Sequence, residues 1–165
     1  MSRKLLPPSH EPSAVSEALR LTHASNEPQV GKRQEITTAI YALTRECGWE
    51  IGGFHWNTYP MSFYWAEERQ GEHKFALLIH KSSPFVALSS AFPDCFNLIF
   101  FDDPAFAEAA QRIVAPFGIL PASELARPLS DADRVFVTQL SAQHERDVRY
   151  WKPDTVGDVI FNWWD

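Results

Sequence analysis

Two kinds of hydrophobic spacing divide the chain. Before Trp49 and after Asp102, apolar residues recur every three or four positions, the spacing of helices with one buried face. Between those points they alternate or run together in short segments broken by Pro, Gly and Ser, the pattern of strands. Ile36, Ile40, Leu43 and Cys47 predict a helix, and Gly48 supplies its stop. Upstream, Ser13 caps a shorter predicted helix with Val15, Ala18, Leu19 and Thr22 on one side. Residues 1–11, rich in proline, are expected to be a flexible tail, and 12–165 one domain.

Segments 50–57, 61–68, 73–80, 84–91 and 95–102 predict an antiparallel meander. Its clearest hairpin turns at Gly71, where a positive φ is needed. The nearly continuous apolar runs at 77–79 and 98–101 predict strands that are central or covered on both faces. Asp103 followed by Pro104 is a strong helix start, with Phe106, Ala109, Ala110, Ile113, Val114 and Phe117 as its buried stripe and Pro116 as its end. Residues 119–128 read as a connection. Ser130 with Asp133 opens another helix through Phe136 and Leu140, and 145–151 continue it or form a separate turn.

From Thr155 the apolar positions Val156, Val159, Ile160, Trp163 and Trp164 predict a last helix, capped by Asp154 or by Thr155, with Asp158 as reciprocal partner of a Thr155 cap. Gly157 weakens that helix by about 1 kcal/mol against Ala, so packing must supply the difference. An aromatic terminus of this kind either completes a core or presents a platform to a ligand or partner. The expected fold class is α+β: an antiparallel sheet of four or five strands with two helices before it and three after, and the C-terminal helix packed on the domain.

At 165 residues, 45% hydrophobic and 13% aromatic, the chain can fill a substantial core. A formal charge of −6, with basic pairs only at Arg3–Lys4 and Lys32–Arg33, disfavours a nucleic-acid partner. No apolar run reaches the 18 residues of a membrane span, and the amino end lacks the apolar region of a signal peptide; the expected location is cytoplasmic, with no membrane partner. Cys47 and Cys95 have no metal-ligand spacing and read as reduced core thiols, with a single bridge between them left open.

Candidate chemistry is sparse. His55 and His80 would face one another if their strands paired, but no H-x-H, H-x-x-x-H or H-E-x-x-H spacing is present, so no metal and no cofactor is expected. Neither cysteine, nor Ser89 or Ser90, sits in a nucleophile motif, and no catalytic residue is assigned. Glu67, Glu68, Glu72 and Asp102 fall at predicted strand ends and are the candidates for contact with a basic protein partner, against the plainer reading of solvated hairpin and cap groups. The alternative is a small enzyme or ligand binder whose pocket, between sheet and helices, is lined by Trp56, Tyr64, Trp65 and His80.

The closing run, Tyr-Trp-Lys-Pro at 150–153 followed by Thr-Val-Gly-Asp-Val-Ile-Phe-Asn-Trp-Trp-Asp at 155–165, resembles a C-terminal signature of small bacterial proteins. It marks a family and is silent about activity. The overall profile is similar to the immunity proteins of bacterial polymorphic toxin systems: small, acidic, cytoplasmic, α+β and without catalytic motifs. That similarity implies a protein-binding module that neutralises a cognate toxin by occlusion, an acidic surface meeting a basic toxin domain. It assigns no functional residue.

Overall fold

The computed structural model describes residues 30–82, 85–93, 97–113 and 117–164. The expected tail at 1–11, the helix at Ser13, and Cys95, Val114 and Pro116 lie outside them. Helix α1 (Val30–Cys47) ends where expected: Gly48 takes φ +68°, its N–H donates to the Arg45 carbonyl, and the Trp49 N–H donates to that of Thr44. Five strands follow, β1 (Glu50–His55), β2 (Phe63–Gln70), β3 (His73–His80), β4 (Phe85–Ser89) and β5 (Phe100–Phe101), antiparallel and adjacent in chain order. Gly71 turns the β2–β3 hairpin at φ +59°.

A sixth strand, β6 (Gly118–Ile119), pairs parallel with β4 at Phe85 and Val86. It shares that edge with β5, which pairs at Leu88 and Ser89. This division overturns the central-strand alternative for 98–101, while Phe100 and Phe101 pack against opposite cores, as the alternative of cover on both faces has it. The five residues of β4 leave β5 only two positions, and Ile99 outside it is 53% exposed.

Alternation along β3 sets up two cores. Phe75, Leu77 and Ile79 point to one face, which α1 covers with Ile40 and Leu43 and α2 (Pro104–Arg112) with Phe106 and Ala109. Ala76 and Leu78 point to the other, covered by α3 (Ala122–Leu125), α4 (Asp131–Leu140), α5 (Ala142–Trp151) and α6 (Val156–Ile160). Burial on both faces is the reason β3 is a continuous apolar run. Asp103 caps α2 through a bond from the Phe106 N–H, Ser130 and Asp133 form a reciprocal capping box on α4, and Ser141 separates α4 from α5 by accepting from the His144 N–H. The short α3 falls within the segment read as a connection.

Helix α6 has the expected Thr155–Asp158 box but only five residues; it does not run through the tryptophans. Its end is drawn off by hydrogen bonds to the entry of β2. Asn162 N–H donates to Ser62 Oγ at 2.9 Å, Ser62 N–H donates to the Asn162 carbonyl at 2.9 Å, and Ser62 Oγ donates to the Ile160 carbonyl at 2.8 Å. Phe161 therefore enters the core, and Trp163 packs edge-on against Phe63 with ring centroids 5.4 Å apart.

Gly157 belongs to this packing. A Cβ there would lie 2.4 Å from a ring carbon of Phe100 and 2.9 Å from the Leu125 carbonyl oxygen, so the position needs a residue without a side chain. Gly157→Ala is expected to destabilise the fold by roughly 1–3 kcal/mol, the usual cost of overpacking, despite alanine's better helix propensity. Urea denaturation measures it. A midpoint at or above that of the wild type would contradict the packing.

Candidate functional site

The four candidate acids do not form one surface. Glu67 and Glu68 are consecutive on β2 and so point to opposite faces. Glu67, on the face opposite α1, is half-buried, 3.6 Å from Lys74 Nζ and beside the ion pair of Glu50 with Arg69. Glu68 turns under α1 and is fully buried, which removes it from any partner surface and corrects its assignment as a contact residue. Thr44 Oγ1 donates to its Oε1 at 3.0 Å, and its Oε2 has no hydrogen-bond partner among the described residues. Burial raises the carboxyl to a pKa of about 7, against the smaller opposing effect of the Thr44 bond. Glu72 is exposed in the hairpin turn, and Asp102 is exposed after β5.

The aromatic and histidine candidates are split by the sheet. Trp56 and Tyr64 lie on the α1 face with ring centroids 5.0 Å apart, and the Arg33 guanidinium sits 5.5 Å from the Trp56 ring. Trp65 and His80 lie on the opposite face, Trp65 against Phe92 and His80 against Phe161. No single cavity joins these four residues, because β2 sends Tyr64 and Trp65 to different cores. His55 stacks on Trp65 at 3.7 Å and is separated from β3 by β2, so it does not face His80. The fully covered His80 ring is held well below the usual histidine range, at about 4, by burial. Its Nδ1 accepts from the Ser82 N–H at 3.2 Å, which assigns the proton of the neutral ring to Nε2.

Cys47 is a free thiol. Burial first, then the carboxylates of Asp103, Glu68 and Glu46, push its pKa up to about 11. At neutral pH it is protonated and a poor nucleophile.

A concave surface that combines apolar walls with carboxylates lies at the β4 edge. An open cleft of about 450 Å³ runs between the α2 side and the β6 strand, lined by Leu88, Phe101, Phe106, Ala110, Phe117, Ile119, Pro104 and Pro121, with Asp102, Asp103 and Gln111. Among the described residues lining it, Asp102 and Asp103 alone are charged. Each also holds a backbone amide: Asp102 Oδ1 accepts from Ala122 N–H and Asp103 Oδ1 from Phe106 N–H, both at 2.9 Å. Sequence reasoning singled out Asp102 but missed the cleft, because two-residue β6 carries no periodic signal. Pro121 ahead of Ala-Ser-Glu-Leu was the available sign of a second helix start there.

No family model, curated protein or solved structure matches the chain.

Glu68 and His80, both buried, oppose each other in pH. Glu68, raised from 4.5 to about 7, contributes stability that is present below 4.5 and lost as pH rises through 7. His80, lowered from 6.5 to about 4, contributes stability that is present above 6.5 and lost as pH falls through 4. Glu68→Gln removes only the first effect. Its stability relative to the wild type is expected to improve by roughly 2 kcal/mol between pH 4.5 and pH 8, read by urea denaturation at each pH. A difference that stays constant over that range would show that Glu68 titrates normally.

Proposed function

We propose that this protein is a binding module that neutralises a cognate bacterial toxin in the cytoplasm by occluding it. The observation that carries the reading is the aromatic surface of the outer helical layer. Tyr150 is 76% and Trp151 41% exposed at the end of α5, their rings edge-to-face at 5.1 Å, while α4 exposes Val135 and Phe136. Large aromatics left outside two filled cores suit a protein interface, where Tyr and Trp carry a disproportionate share of binding energy. The net charge of −6, with Glu72 and Asp102 outward, supports a basic partner surface, and opposite charge raises the encounter rate and selects the partner. Occlusion requires no reacting group; among the described residues His80 is held neutral, Glu68 is walled in and Cys47 is protonated.

The test is coexpression with the product of the adjacent gene. Protection of growth and a stable complex on size exclusion are expected. The double substitution Tyr150→Ala, Trp151→Ala is expected to weaken that complex at least tenfold without moving the urea midpoint. The absence of both protection and a complex would overturn the reading.

A further inference from the structure

We infer that the cleft at the β4 edge is the seat for a segment of the partner protein in which an arginine or lysine is flanked by an apolar side chain. The inference rests on the binding-module reading and adds where the partner's basic group is held. Apolar side chains, among them Phe101, Phe106, Phe117 and Ile119, give the cleft an interior suited to an apolar side chain. Asp102 and Asp103 give it negative charge, and no basic side chain among the described residues lines it. The nearest cation on α2, Arg112, is held away by Glu46 at 3.7 Å and Glu108 at 3.4 Å.

The two carboxylates are not equivalent. Asp103 faces the amino end of the nine-residue α2, whose dipole offsets part of its charge. Asp102 is exposed and holds only the first amide of the four-residue α3, leaving Oδ2 to an incoming cation. A cation placed there sits beside apolar walls, where screening by water is weaker than on an open surface. An anionic or purely apolar segment would either be repelled by the carboxylates or leave them desolvated without a partner.

Two occupants share this chemistry. One is a foreign segment; the other is a second copy of this chain, whose exposed Arg149–Tyr150–Trp151–Lys152 is also basic and aromatic. We commit to the foreign segment, because Arg149 is already paired with Glu145 Oε1 at 2.6 Å on its own helix, and a second copy would have to break that pair to offer its arginine to the cleft.

The probe is the capped tripeptide phenylalanyl-arginyl-leucine, titrated into the ¹⁵N-labelled full chain beside an analogue carrying citrulline, arginine's neutral isostere. Saturable shifts are expected at the amides of Ala107, Ala110, Gln111, Phe117 and Gly118, with at least tenfold tighter binding of the arginine peptide. Asp102→Asn keeps an acceptor oxygen for the Ala122 N–H and should reduce that ratio below threefold. Ala110→Trp fills the cleft and should abolish the shifts, with an unchanged urea midpoint showing that each variant is folded. Equal affinity for the two peptides, or shifts confined to another surface, overturns the inference. So does a concentration-dependent increase in mass that Asp102→Asn abolishes, which assigns the cleft to a second copy. A chain that binds the tripeptide as described but neutralises no toxin defeats the immunity reading alone. Neutralisation that survives both variants defeats the cleft alone.

Discussion

Both faces of β3 are apolar, and the fold depends on covering the second of them with a plug of six residues delivered at the end of the chain. Val156, Val159, Ile160 and Phe161 are fully covered in the core over Ala76 and Leu78. A helix of five residues has too few internal hydrogen bonds to stand alone, so contacts with the sheet must hold it. Asn162 and Ser62 exchange backbone and side-chain bonds, Asn162 Nδ2 donates to the Val159 carbonyl at 2.7 Å, and Gly157 admits the Phe100 ring and the Leu125 carbonyl to close approach. These contacts explain why the helix stops where it does. Continuing it would carry Asn162 away from Ser62 and bring Phe161 out of the core.

Much of this was legible in the sequence because it depends on local rules. The caps at Asp103, Ser130 and Thr155, the stop at Gly48 and the turn at Gly71 follow from backbone chemistry within a few residues. The double burial of β3 followed from the continuous run at 77–79. What was not legible depends on pairing between distant segments. The run at 98–101 looked like a central or doubly covered strand, and it is not central, because β4 is short and divides its edge between β5 and β6. The last helix looked as though it ran through Trp163 and Trp164, yet Ser62, a hundred positions before Asn162, captures its end.

Single-residue phase was the other blind spot. Glu67 beside Glu68, and Tyr64 beside Trp65, look like pairs in a sequence, and a strand sends the members of each to opposite faces. Glu67 meets solvent and lysine; Glu68 meets Thr44 beneath a helix. The pocket supposed for Trp56, Tyr64, Trp65 and His80 is divided by the same geometry. The cleft could not be read because one end is built from two residues of β6 and the other from the cap of α2, neither of which announces the other.

The most direct test of the central claim is native-state hydrogen exchange at the Asn162 amide, compared with Leu77 and Leu78 in β3. If the tail is an integral plug, Asn162 opens only with the whole domain, and its opening free energy matches that of the central strand. An opening free energy near zero at Asn162, with β3 still fully protected, would show that the tail frays independently and that the sheet does not depend on it.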